Sequence, residues 1–74
     1  MANKVQVEVS RKYERTLAAA AVKGRTQQSN GQARAKVPRT SLLRLASRLP
    51  DNATVYIDGI KCLVVNNAFT IARS

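Results

Sequence analysis

The stretch from Thr54 to Ala72 contains two turn signals between short apolar segments, and it constrains the fold more than any other part of the chain. Asp58-Gly59 favours a two-residue type I′ turn, in which both positions need positive φ. Asn66-Asn67 is a second turn signal, because Asn tolerates the left-handed conformation. Together the two turns predict a three-stranded antiparallel meander.

The two turns predict registers that agree with each other. The first pairs Ile57 with Ile60, and the second pairs Val65 with Ala68. These registers make one face wholly apolar and the other mixed, as expected for a sheet covered on one side. The apolar face holds Val55, Ile57, Ile60, Cys62, Val64, Phe69 and Ile71, and the mixed face holds Thr54, Tyr56, Lys61, Leu63, Val65, Thr70 and Ala72.

A short amphipathic helix is predicted just before the meander. Its apolar positions follow the i, i+3, i+4, i+7 spacing of one helical face, with Thr40 or Ser41 as the N-cap and Pro50 as the end. We expect its apolar stripe to cover the apolar sheet face and its polar side to face outward. The stripe is Leu42, Leu45, Ala46 and Leu49, and the outward residues are Arg44, Ser47 and Arg48.

The N-terminal half predicts a strand followed by a helix. Three valines alternate with polar residues over Val5–Val9, which is typical of a half-buried strand and suits a sheet edge. Ser10 can cap a helix whose inner face carries Tyr13, Leu17 and Ala20. Gly24 is a natural C-terminal stop for that helix.

Residues 25–36 show no periodicity and offer almost nothing to bury, so they predict a long, mobile, basic loop. The sequence therefore predicts an α+β fold that occupies residues 1–74 as one small domain. It has an N-terminal strand, two short helices joined by the long basic loop, and a C-terminal three-stranded antiparallel meander packed by a helix.

The positive charge is strongly localised. The 13 Lys and Arg against four Asp and Glu give a net charge of +9. Between residues 11 and 48 Glu14 is the only acidic residue, whereas the charges elsewhere cancel. Such a one-sided excess favours a polyanion-binding surface over a merely solvated face. The candidate nucleic-acid-binding residues are Arg11, Lys12, Arg15, Lys23, Arg25, Arg34, Lys36, Arg39, Arg44 and Arg48.

The residues that most enzymes use are missing or scattered. The chain has no His and a single Cys, and its four carboxylates suggest no acid–base pair. We therefore expect no catalysis, no cofactor, no metal site and no disulfide. Cys62 is expected to be buried and structural. Neither a signal peptide nor an apolar run long enough for a membrane span is recognisable, so a cytoplasmic protein is expected.

These features predict a nucleic-acid-binding accessory or regulatory protein that contacts the phosphate backbone through its basic helix–loop–helix region. The alternative is a protein-interaction module, such as an inhibitor or a ribosome-associated or virion component. It would dock its basic surface or a sheet edge on an acidic partner. The small size and the charge are typical of phage and plasmid accessory proteins. Self-association into a homodimer is also expected, because the apolar sheet surface exceeds what one short helix covers.

Overall fold

The computed structural model describes residues 3–72. The strands are β1 (Lys4–Ser10), β2 (Gln27–Ser29), β3 (Gln32–Pro38), β4 (Thr54–Ile57), β5 (Ile60–Val65) and β6 (Ala68–Ile71), and the helices are α1 (Glu14–Ala20) and α2 (Leu42–Arg48). All strand pairs are antiparallel and form one sheet in the order β2-β3-β1-β4-β5-β6. The α+β fold class expected from the sequence is confirmed.

The C-terminal meander forms in the predicted registers. Ile57 pairs with Ile60 across the first turn, and Val65 pairs with Ala68 across the second. Asp58 and Asn66 both have positive φ, as the turn chemistry requires. The predicted apolar face packs against the helices at Val55 and Val64, but its outer part stays open, because Ile60 and Ile71 are 51% and 60% exposed.

The N-terminal strand lies in the middle of the sheet, which corrects the expectation of an edge strand. β1 pairs with β3 on one side and with β4 on the other. Its valines Val5, Val7 and Val9 are all buried. Period-two alternation shows that one face of a strand is covered, but it does not show whether the two backbone edges are paired. The alternation of the valines therefore contained no information on whether β1 lies at an edge or in the centre of the sheet.

Residues 25–36 form β2 and most of β3, so the prediction of a long mobile loop joining the helices is wrong. Asn30 and Gly31, with φ of 50° and 78°, form the tight turn between the two strands. Ala33 and Val37 of β3 are fully buried in the core. The apolar side chains of this strand are small and widely spaced, which hid its alternation among the polar residues.

Both helices pack on the same face of the sheet and share one core. Leu17 of α1 and Leu45 of α2 are buried together with the inward valines of the central strands. Each helix is preceded by a 3₁₀ turn, Arg11–Tyr13 before α1 and Arg39–Ser41 before α2. Ser10 therefore precedes the 3₁₀ turn, and its side chain makes no capping hydrogen bond, contrary to the expected helix cap.

The strand–turn–helix unit occurs twice, 28 positions apart. β1 and β3 begin at Lys4 and Gln32, and α1 and α2 begin at Glu14 and Leu42. β1 and β3 are antiparallel neighbours whose register is centred on the pair Val7 and Ala35, which are themselves equivalent. The two units are therefore related by an approximate two-fold axis that passes between β1 and β3.

The backbone hydrogen bonds repeat with the same spacing. Arg11 N–H donates to Gly31 O at 3.0 Å, and its equivalent Arg39 N–H donates to Asn3 O at 2.8 Å. Ala21 N–H donates to Ala18 O, and Leu49 N–H donates to Ala46 O, both at 3.2 Å. The repeat thus extends from the central strands through the ends of both helices.

Candidate functional site

The ten candidate residues do not form one surface. Six of them lie in the layer formed by the helices and their 3₁₀ turns, and all six are exposed. We call this surface the helical face, and its six cations are Arg11, Lys12, Arg15, Arg39, Arg44 and Arg48. Three others, Arg25, Arg34 and Lys36, line a depression at β2 and β3, and Lys23 lies in a 3₁₀ turn after α1.

A shallow groove lies between the two helices on the helical face. Its volume is about 100 Å³, and Arg44 and Arg48 line it from α2. These two arginines are one helical turn apart, so they lie on the same side of the helix. The side chains that line the groove from α1 are Thr16, Ala19 and Ala20.

The small side chains of α1 leave room for the long arginines of α2. Thr16 and Ala20 are the repeat equivalents of Arg44 and Arg48, so each half contributes different residues to the same place between the helices. Arginine commonly lays its aliphatic stem on apolar surface while its guanidinium stays in water. The small side chains at these α1 positions therefore leave space for two neighbouring cations on a short helix.

Glu14 is the only acidic residue in α1 and α2, and its carboxylate is bound to the neighbouring hairpin. Thr26 Oγ1 donates to Glu14 Oε2 at 2.8 Å, and Gln28 Nε2 donates to both carboxylate oxygens at 2.8 Å. The hydrogen bond from Gln28, followed by that from Thr26, lowers the pKa of Glu14. The carboxylate thus tethers α1 to β2 rather than pairing with the arginines of the groove.

The second group of cations lines a depression of about 580 Å³ beside Gln27, where β2 begins and β3 continues past it. Arg34 Nε lies 3.5 Å from Glu8 Oε2, so part of its charge is offset by that carboxylate. β2 pairs with Gln32–Arg34, and within residues 3–72 the next residues of β3 have no strand on their outer side. Because a loop was expected here, these cations were not predicted to border a sheet edge.

Cys62 is buried on the inner face of β5, as the sequence predicts. Burial raises the pKa of its thiol, which favours the unreactive protonated form. Among residues 3–72 no group of His, Cys, Asp and Glu is arranged to hold a metal ion. Within the same range no helix has the length and apolar character needed to cross a membrane.

Comparisons with known proteins add no relative to this description: no family model, no curated protein and no solved structure matches the chain.

Proposed function

We propose that this protein is a non-catalytic, cytoplasmic nucleic-acid-binding accessory protein whose helical face contacts the phosphate backbone. The observation that carries the proposal is the groove in which Arg44 and Arg48 stand exposed above the small side chains of α1. Four further exposed cations, Arg11, Lys12, Arg15 and Arg39, lie in the same layer of helices and 3₁₀ turns. Arginine forms bidentate hydrogen bonds with phosphate and keeps its charge at any physiological pH.

The arrangement of acidic residues supports the same surface. Glu14 is engaged with Thr26 and Gln28, so it does not neutralise the groove arginines. The helices that carry Arg15, Arg44 and Arg48 are each only seven residues long, but they are fixed to the sheet by Leu17 and Leu45. Cations on a rigid layer lose less conformational entropy on binding than cations on a mobile loop.

Contacts of this kind are with phosphates, so they position the protein without reading base sequence. Each phosphate contact displaces condensed counterions, and the affinity should fall steeply as salt rises. Titration of duplex DNA, single-stranded DNA and RNA, followed by fluorescence anisotropy over a range of salt, tests the proposal. We expect binding to at least one of the three at micromolar protein or below.

The double variant Arg44→Ala with Arg48→Ala tests the location of the interface. If both arginines contact phosphates, the slope of log K against log salt should fall by about 2. Both side chains are exposed, so the free energy of unfolding should change by no more than about 0.5 kcal/mol.

The matched control is Lys4→Ala with Lys61→Ala. It removes the same two charges, but both lysines are exposed on the sheet face opposite the helices. The control should retain most of the affinity and of the salt slope. Equal losses in the two double variants would mean that only net charge matters, and an unchanged Arg44/Arg48 variant would move the interface elsewhere.

A second candidate function is recognition of an acidic protein, and the depression at β2 and β3 favours it. Arg25, Arg34 and Lys36 lie beside a stretch of β3 whose outer edge has no strand partner in the described part of the chain. Extended acidic segments can add to such an edge through backbone hydrogen bonds. A nuclease-treated pull-down separates the two functions, because only a protein partner survives the nuclease. The double variant Arg25→Ala with Lys36→Ala should no longer capture the protein partner in this pull-down.

A further inference from the structure

The outer edge of β6 is unpaired within residues 3–72, because β6 is the last strand of the sheet. Ala72 N–H donates to Lys61 O at 2.9 Å and continues the β5–β6 ladder. In an antiparallel ladder alternate residues direct both backbone groups to the same neighbour. Ala68, Thr70 and Ala72 therefore face β5, and Phe69 and Ile71 direct their N–H and C=O groups away from the sheet.

Among the residues that the structure describes, none protects this edge against strand pairing. Natural edge strands are commonly shielded by Lys, Pro, bulges or a covering element. Residues 62–72 contain no charged residue and no Pro, and they are the longest uncharged stretch of the chain. Ile71 is 60% exposed and Ile60 is 51% exposed on the helix side of the sheet beside it.

The distribution of charge selects a second copy of this chain as the occupant. An acidic partner would gain its attraction at the helical face or at the depression lined by Arg25 and Lys36, not at an uncharged edge. Two copies that each carry +9 repel one another over most of their surfaces. The uncharged stretch, bracketed by Lys61 and Arg73, is where two such chains meet with least repulsion.

We propose that two copies associate by antiparallel pairing of β6 with β6. In a register centred on Thr70, Phe69 of each copy exchanges backbone hydrogen bonds with Ile71 of the other, and the exposed Ile71 side chains become partly buried. The contact is isologous, since the same residues serve on both sides. A four-residue strand makes a small interface, so the dimer is expected to be weak and reversible.

This pairing has a geometric consequence for the proposed nucleic-acid interface. Antiparallel pairing of identical edges places the two-fold axis perpendicular to the sheet, so both helical layers lie on the same side. The dimer thus presents two helical faces to one extended polyanion. Once one face is bound, the effective concentration of the second face at the polyanion is raised. This consequence rests on the proposed function, whereas the self-association does not.

Sedimentation velocity or light scattering over a range of protein concentration tests the pairing without any nucleic acid. At an ionic strength of about 0.15 M, where charge repulsion is screened, the mass should rise towards twice 8.1 kDa as concentration increases. Ile71→Lys should stay monomeric to about 100 µM, because it places a charge on each side of the interface.

The matched control is Leu43→Lys. Leu43 is 70% exposed on α2, so this variant also replaces an exposed aliphatic residue and adds one charge, but on a helix rather than on the unpaired strand edge. It should dimerise like the wild type. A strictly monomeric wild type overturns the proposal, and so does an Ile71→Lys variant that still dimerises or a Leu43→Lys variant that dissociates equally.

Hydrogen exchange of the wild-type protein tests the edge even if a variant unfolds. The Phe69 and Ile71 amides should be protected at high concentration and should exchange faster on dilution. The Thr70 amide, which faces β5, should be equally protected at both concentrations. Concentration-independent exchange at Phe69 and Ile71 overturns the proposal. Because neither experiment contains nucleic acid, failure of the dimer is distinguishable from failure of the phosphate interface.

Discussion

The two repeated halves of the molecule share a backbone but differ in the side chains that they present. In both, a central strand leads through a 3₁₀ turn into a seven-residue helix with one buried leucine, Leu17 or Leu45. At the surface the first helix carries Thr16 and Ala20 where the second carries Arg44 and Arg48. The core positions thus preserve the unit, whereas the exposed positions create the groove.

The halves also differ in the strand that follows each helix. β2 pairs with the first residues of β3, Gln32–Arg34, whereas β4 pairs with Val7–Val9, which correspond to the later residues of β3. This displacement closes the β1 edge and leaves the later part of the β3 edge open beside Arg25 and Lys36. Both candidate surfaces therefore lie where the two halves differ, in exposed side chains for the groove and in strand pairing for the depression.

The largest expected effect tests whether the halves are equivalent in the core. Leu17→Ala and Leu45→Ala should each lower the free energy of unfolding by about 2–5 kcal/mol, because each leaves a cavity at a site that is 0% or 1% exposed. Urea denaturation measures both losses. Leu43→Ala, at a 70% exposed position, should change stability by no more than about 0.5 kcal/mol. A loss at one leucine more than twice that at the other would break the equivalence.

A smaller effect is expected at the left-handed residue that follows each helix. Gly24 and Asn52 are equivalent and have φ of 64° and 66°. Gly24→Ala should lower the free energy of unfolding by about 1 kcal/mol, because the left-handed conformation is unfavourable for a residue with a Cβ. The nearest atom to an added Cβ is Ala18 O at 3.8 Å, so the cost comes from backbone conformation rather than from a clash. Gly24→Asn should cost less, as measured by thermal unfolding, since Asn occupies this conformation in the other half. Equal costs for Ala and Asn would contradict the argument.

The smallest effect concerns Glu14, which has Leu42 as its repeat equivalent. Hydrogen bonds from Gln28 and Thr26 lower its pKa, so the folded state binds its proton less tightly than the unfolded state does. The resulting stabilisation is fully present above the ordinary glutamate pKa of about 4.3, and it is lost as the pH falls through the lowered value in the folded protein. The stability advantage of wild type over Glu14→Gln should therefore shrink below about pH 4. A difference that is independent of pH would show that the tether does not depend on the charge.

The accuracy of the sequence-based predictions followed the strength of the local signals. Asp58-Gly59 set a register that the sheet then followed, because both turn positions and both strand faces agreed on one pairing. The spacing of Leu42, Leu45 and Leu49 likewise identified α2 and its buried side. Asn30-Gly31 carries the same turn signal as Asp58-Gly59, and weighing it equally would have revealed the β2–β3 hairpin. The Asn30-Gly31 signal was overlooked because the side chains of the flanking strands are small or polar and show no clear apolar alternation.

The meander and the amphipathic α2 were predictable because their residues interact with near neighbours in the chain. The concentration of positive charge before residue 49 is a property of the sequence alone. The central position of β1, the packing of both helices on one face, and the division of nine of the ten cations between two surfaces became visible in the folded molecule. The sequence predicted only the local elements because side-chain periodicity reports burial along one strand or helix. The pairing of strand edges and the convergence of distant arginines depend instead on backbone hydrogen bonds between segments far apart in the sequence.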